Sequence, residues 1–301
     1  MQNQKKPTLV LRPKGGLGNQ LFQYAAARSL ALRNQVSLLI DTASGFQADP
    51  YGRSYELAAF QIVDQPADIS IHFPAASNAR RQYLRWREYL RMKYCGQYFD
   101  PSIYNLRIRG SILLDNYCQS YRYFSDIEDL VRREFTFKAV PAGIDDSTKT
   151  AFTITNSVCL HARRLHGQTA NGLSPKSVTG YYGACGLEYY MRALVKLARQ
   201  HGRLQVFLFS DDFGWALQYS EQLSGEHGEV QVVEETDSLR CFFLMTQCKH
   251  FVIANSTYSW WAAWLGAHPH KTVCVPSVWN RRERRFPRDL FPYGWDIIDV
   301  K

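Results

Sequence analysis

The sequence predicts an α/β protein built from two Rossmann-like halves, residues 1–145 and 146–301. Two observations carry this. Within residues 8–40 a strand, a glycine turn, a helix and a second strand follow one another, which is the βαβ pattern. From residue 157 to residue 276, short apolar runs alternate with segments of helical spacing, as a doubly wound parallel sheet requires.

Residues 8–12 (TLVLR) read as the first strand. Gly15, Gly16 and Gly18 interrupt it. Leu21, Phe22, Ala25, Ala26, Ser29 and Leu30 then recur at helical spacing as far as Arg33, and residues 36–40 form the next strand. Residues 77–96 form a basic helical stretch, with Arg80, Arg81, Arg85, Arg87, Arg91 and Lys93 against Glu88. Tyr83, Leu84, Trp86 and Leu90 lie between these charges. The join between the halves falls within 138–150, where KAVPAG separates apolar segments. Beyond it, 157–161 is a strand. Residues 188–201 are a helix with Met191, Leu194, Val195 and Ala198 on one face, stopped by Gly202. Residues 204–209 (LQVFLF) are a nearly continuous apolar run, the mark of a strand buried on both faces. Strands at 230–233 and 250–254 flank a helix at 238–245. A helix starting at Asn255 carries Trp260, Trp261, Ala263, Trp264 and Leu265, and 272–276 is a late strand.

Of 301 residues, 46% are hydrophobic and 21% charged, a balance that excludes disorder for the bulk of the chain. Aromatic residues reach 14%, which suits sugar faces as well as a core. The net charge of +9 suits an anionic partner: a nucleotide, a phospholipid surface or a nucleic acid. The chain contains no recognised nucleic-acid module, which argues against the last. The seven cysteines are scattered, odd in number and free of CxxC spacing, as in a reduced cytosolic protein. No window is long and apolar enough for a membrane span, and the first residues have no apolar signal region. The expected location is the cytoplasm, at most peripheral to the inner face of the membrane.

Four segments carry candidate chemistry. Gly15-Gly-Leu-Gly-Asn-Gln20 stands at a strand-to-helix turn, where backbone N–H groups can meet a ligand and Asn19 and Gln20 would direct amides into a cleft. A tight turn without a ligand is the alternative, and Asp41 is a poor candidate for a ribose carboxylate. His161-Ala-Arg-Arg164 stands at a strand's carboxyl end, where ligands of open sheets bind. Alternation puts His161 and Arg163 on one face and Arg164 on the other. An arginine there could clamp a diphosphate, or be a surface cation. Phe209-Ser-Asp211-Asp212 also ends a strand; its carboxylates could take guanine N–H groups or a ribose diol, or cap the next helix. Asn255, Ser256 and Thr257 stand between a strand and a helix, a place where N–H groups and hydroxyls hold phosphate or simply cap the helix. The tryptophans that follow read as core. Asn255-Ser-Thr257 also matches a glycosylation sequon, dismissed for want of a secretion signal.

In this order the stretches GGLGNQLFQYAAARSLA, HARR, FSDD and NSTYSWWAAWLG resemble the family 11 glycosyltransferases, the α-1,2-fucosyltransferases, over residues 15–266. The resemblance implies a GT-B type fold, two Rossmann-like domains facing across a cleft. The acceptor side would be 1–145 and the GDP-fucose-binding domain 146–301. It implies His161 with Asp211 or Asp212 near the guanosine, and Arg163 on the β-phosphate assisted by Ser256 and Thr257. Gly16, Gly18, Arg164 and Asn255 complete the donor site, and Asn19 reaches the reacting centre. GDP-fucose is the donor substrate and a β-galactoside glycan the acceptor; no further cofactor and no divalent metal are expected. One departure stands out: where the family reads HxRR-Gly-Asp, this chain has Leu165-His166. His166 is then the candidate catalytic base, with Asn19 orienting the acceptor hydroxyl as the alternative. The basic stretch at 80–93 and the run Arg281-Arg-Glu-Arg-Arg285 would suit an anionic membrane surface or a lipid-diphosphate acceptor, or be solvated faces. Competing readings are a fucosyltransferase of α-1,6 or O-linked type, and a non-catalytic glycan- or nucleotide-binding protein.

Overall fold

The computed structural model describes residues 6–63, 65–67, 83, 86–154, 156–164 and 185–300. The chain divides into two units. The first holds Met1–Lys138 with Glu283–Pro292; the second holds Ala139–Arg282 with Tyr293–Lys301. The first crossing lies at the start of the 138–150 stretch, earlier than 145/146. The return of residues 283–292 to the first unit is a tertiary feature with no local sequence signal.

In the first unit, β1 (Thr8–Leu11), β2 (Ser37–Ile40) and β3 (Ser111–Leu114) form a parallel sheet in the order β2-β1-β3. The helix α1 (Leu17–Asn34) connects β1 to β2 and is buried over most of its circumference. Ala25, Ala26, Ala27 and Ala31 keep it thin enough to sit inside the unit, while Leu21, Phe22, Tyr24 and Leu30 fill its surroundings. It ends on Gln35 in the left-handed conformation (φ 54°), where the Val36 N–H reaches back to the Ala31 carbonyl at 3.1 Å. A second helix, α2 (Glu128–Glu134), brings the buried Glu134 to α1. Glu134 accepts from Tyr24 Oη at 2.7 Å and from Arg28 Nε at 2.9 Å, so the buried carboxylate has both a hydroxyl and a cation as partners. Burial and the neighbouring Glu134 push the Tyr24 hydroxyl up from its ordinary pKa.

In the second unit, α3 (Asp146–Ile154) precedes β4 (Ser157–Ala162). Then follow α4 (Leu187–His201), β5 (Leu204–Ser210), α5 (Phe213–Leu223), β6 (Gly228–Val232), α6 (Ser238–Gln247) and β7 (His250–Val252). The last elements are α7 (Thr257–Leu265), β8 (Val273–Pro276) and β9 (Asp296–Ile298). All six strands are parallel, in the order β6-β5-β4-β7-β8-β9. Renumbered from β4, this is the 3-2-1-4-5-6 order of dinucleotide-binding sheets. Both faces are covered. Val158, Leu160, Val206 and Leu208 pack with Tyr190, Leu194 and Leu197 of α4 on one side. On the other side α6 and α7 pack together, Phe242 edge-on to Tyr258 at 5.2 Å.

The tryptophans of α7 are core, as the sequence indicates. Trp260, Trp261 and Trp264 are buried, with Trp261 edge-on to both others at 4.9 and 5.2 Å. Lys271 closes the helix's carboxyl end: its ammonium donates to the carbonyls of Ala263, Trp264 and Gly266 at 2.8, 2.8 and 2.6 Å. The structure adds the helices α2 and α3 and the strands β3 and β9, gives the helix after Asp212 its extent as α5, and starts α7 at Thr257 rather than Asn255. Among the described residues no helix is long and apolar enough to cross a membrane.

Candidate active site

In a sheet of this order the strand direction of winding reverses between β4 and β7, and the helices on either side leave a crevice beyond the carboxyl ends of those two strands. His161-Ala-Arg-Arg164 leaves β4 at that place, and Ala254-Asn-Ser-Thr257 leaves β7. The tertiary structure thus brings two sequence motifs about ninety residues apart to one switch point, and places Asp211 and Asp212 at the end of the adjacent β5.

Arg163 is paired with Asp211, Nη1 to Oδ2 at 3.0 Å, and its side chain is about one-third exposed at 36%. The other Asp211 oxygen, Oδ1, accepts the Arg164 backbone N–H at 2.7 Å. One carboxylate therefore fixes both the guanidinium of Arg163 and the backbone that carries it. Arg164 turns to the opposite side of the sheet from His161, as alternation predicts. It donates to the Cys185 carbonyl at 2.8 Å and lies over the Trp215 ring at 4.6 Å. His161 is buried, its ring 6.0 Å from that of Tyr258. Asp212 caps α5, accepting from the Trp215 N–H at 2.9 Å. Both carboxylates thus have partners within the protein, and the capping reading weighed for this segment is realised at Asp212.

Asn255 is buried and donates to the Trp279 carbonyl at 3.1 Å. Its Oδ1 faces the Cys185 thiol at 3.9 Å. Burial pushes that thiol up to about 11, which keeps it a neutral S–H. Asn255 therefore shapes the loop, and Ser256 becomes the N-cap of α7. The Ser256 hydroxyl makes no capping bond, so the positive end of the helix dipole is not closed by its own cap residue. A guanidinium and a helix start whose N-cap side chain makes no capping bond stand at the same switch point, an arrangement that suits an anion.

The glycine motif occupies the corresponding place in the first unit, after β1. Gly15 has φ +79°, a backbone conformation that favours glycine, and a Cβ on it would push on the Asn19 amide, 2.8 Å away. Gly16 is the N-cap of α1 and makes no side-chain cap; Gly18 and Asn19 lie in the first turn. Asn19 Oδ1 accepts from Gln119 Nε2 at 2.7 Å, which orients its amide. Gln20 corrects the expectation that its amide points into a cleft. It is fully buried, donates to the Gly15 and Ser54 carbonyls at 2.9 and 2.8 Å, and accepts the Glu56 N–H at 3.0 Å. Gln23 bonds both the N–H and the carbonyl of Lys14, each at 3.0 Å. The two glutamines hold the turn in shape, and the Lys14 ammonium pairs with Asp115 at 2.6 Å. Asp41 is occupied by the turn after β2. Burial would raise its pKa, but bonds from Ser44 and Ala43 hold it below the usual carboxylate value.

Several residues at these places have no sequence signal of their own. Trp215 and Cys185 hold Arg164, and Gln119 holds Asn19. Arg53 lies over the glycine turn, its guanidinium 3.5 Å from where a Gly15 side chain would begin. Leu165 and His166 lie outside the described residues, so the departure from the family pattern falls there.

Two Rossmann-like units, one with Arg163 and a helix start at its switch point, make a class of protein suited to an anionic, nucleotide-like ligand. The chain belongs to glycosyl transferase family 11, whose profile matches residues 2–299, and it is a glycosyltransferase. An α-1,2-colitosyltransferase of Escherichia coli is 27% identical to it over 97% of this chain and 99% of its own. The O-antigen biosynthesis glycosyltransferase WbnK of Escherichia coli is 27% identical over 88% of this chain and 92% of its own. A galactoside 2-α-L-fucosyltransferase of Caenorhabditis elegans is 24% identical over 98% of this chain and 80% of its own. Among solved structures, the fucosyltransferase NodZ from Bradyrhizobium superposes with a TM-score of 0.53 at 18% identity, covering 86% of this chain and 92% of that one. That likeness shows the fold, which is of the GT-B type.

Proposed function

We propose that this protein is an inverting α-1,2-fucosyltransferase that moves L-fucose from GDP-fucose to O2 of a terminal β-galactose on an oligosaccharide or glycolipid. The observation that carries the reading is the meeting at the switch point of Arg163, fixed by Asp211, and the start of α7, whose N-cap Ser256 makes no side-chain capping bond. Breaking the bond from fucose C1 to the β-phosphate oxygen leaves positive charge on the ring and negative charge on GDP. Arg163 and the α7 dipole would stabilise that leaving diphosphate. His161 and the Asp211–Asp212 corner would border the guanosine. Asn19, with its amide set by Gln119, would hold the acceptor hydroxyl, and His166 would accept its proton. His166→Ala with an unchanged transfer rate would leave proton acceptance to the departing phosphate.

The linkage rests on relatives: the nematode protein acts on galactoside O2 by its name, whereas NodZ, solved after soaking with GDP-fucose, is an α-1,6 enzyme. A second reading concerns the donor sugar, because the first relative above transfers colitose, which is fucose without its 3-hydroxyl. The test is purified protein with GDP-fucose, lactose and EDTA, read by GDP release and product linkage. Fucose on galactose O2 in EDTA supports donor, linkage and metal independence together. A different linkage overturns the α-1,2 assignment, transfer only from GDP-colitose moves the donor, and loss of transfer on chelation overturns metal independence.

A further inference from the structure

Two basic, aromatic-bearing runs stand far apart in the sequence, one ending at Lys93 and one centred on residues 281–285, and neither takes part in the reaction proposed above. In the first unit they meet. The Arg284 N–H donates to the Lys93 carbonyl at 3.0 Å, the Arg284 guanidinium lies 4.7 Å over the Tyr94 ring, and Arg285 covers Gly96 so closely that a Cβ there would stand 2.9 Å from its carbonyl. The result is one patch. Tyr83 and Trp86, one helical turn apart with rings 6.2 Å from each other, are 56% and 57% exposed, and Tyr94 is 43% exposed. Arg284, Arg285 and Arg288 are exposed, and the first two lie against Lys93, Tyr94 and Gly96 at the end of that run.

The acidic groups of the same region are turned inward. Asp289 accepts the N–H groups of Tyr98 at 2.9 Å and Phe99 at 2.6 Å. Asp100 is buried and binds Arg87 and Arg91 at 3.0 and 2.9 Å. Glu283 accepts from the Tyr98 hydroxyl. The exposed surface is therefore cationic and aromatic, with its carboxylates turned away from it. Tryptophan and tyrosine rings belong at the boundary between headgroup and acyl chain, where one end of the ring is apolar and the other wet. Arginines beside them complement anionic headgroups and release counterions.

We propose that this surface docks the protein on an anionic lipid bilayer. It stands apart from the transfer reaction, so neither claim depends on the other. The test is flotation of the full chain with phosphatidylcholine vesicles, with and without phosphatidylglycerol. Binding should need the anionic lipid, fall as salt is raised, and shift Trp86 fluorescence to the blue. Removing one cation should weaken binding about fivefold, so Arg284→Ser with Arg285→Ser should weaken it by roughly 25-fold at unchanged melting temperature. Trp86→Ser should weaken it separately, and transfer to soluble lactose should be unaffected. Equal binding to neutral and anionic vesicles overturns the proposal, as does binding that both variants retain. So does capture by a soluble polyanion without capture by vesicles.

Discussion

His250 sets a pH limit on the stability of the second unit. It opens β7, is 2% exposed, and its Nδ1 accepts the Thr272 N–H at 3.1 Å. His201 stacks on it at 3.9 Å and His268 stands edge-on at 5.7 Å. Burial, and then the charges of His201, His268 and Lys249, lower its pKa from 6.5 to about 4. The folded protein therefore holds a neutral imidazole where the unfolded chain takes up a proton below pH 6.5. The resulting stability is fully present above pH 6.5 and is lost as the pH falls toward 4. A gap of about two and a half pKa units corresponds to about 3 kcal/mol at most. For a unit of this size that is roughly 6–12 °C in melting temperature. The assay is thermal and urea denaturation from pH 7.5 to pH 4, comparing the parent with His250→Gln, whose side-chain carbonyl can still accept from Thr272. Titrating carboxylates act equally on both proteins, so the difference between the curves isolates His250. The parent should lose stability more steeply below pH 6.5. Parallel curves would refute the argument, because a histidine that titrates alike folded and unfolded contributes no slope.

Other expectations follow from the same geometry. Arg163→Ala should lower transfer by about 10²–10³, the loss of one charge-stabilising donor, while circular dichroism and melting stay unchanged; near-normal turnover would remove Arg163 from the mechanism. Gln20→Ala leaves the Gly15 and Ser54 carbonyls and the Glu56 N–H without their partner, and urea unfolding should show a loss of about 3 kcal/mol. Lys271→Met removes the charge from the carboxyl end of α7 and should cost about 1–2 kcal/mol. A pH-jump series would show that loss to be constant across the neutral range, because a lysine stays charged there.

How much of this was legible in the chain itself differs from element to element. The βαβ start at 8–40 and the alternation after 157 could be read locally, because a strand buried on both faces reads as a nearly continuous apolar run, as β5 does. The helix after Asp212 is signalled only by its possible cap: Phe213–Leu223 has two buried residues, so its periodicity is too weak to give its extent. β3 and β9 are four and three residues long, and neither is read as a strand from the sequence.

The sequence by itself determined the family, the two α/β halves and the placing of HARR, FSDD and NST at strand ends, because those follow from residue order and local burial. Only the tertiary structure decided the partners. It assigned Asp211 to Arg163, Asp212 to a helix cap, Gln20 and Gln23 to the glycine turn, and the 283–292 segment to the first unit. It also gathered His201, His250 and His268 at one place, and joined two distant basic runs into one surface. The pairing of Asp211 with Arg163, the joining of the basic runs and the return of 283–292 link residues tens to hundreds of positions apart. They depend on which elements the parallel sheets bring side by side, and no local pattern encodes that.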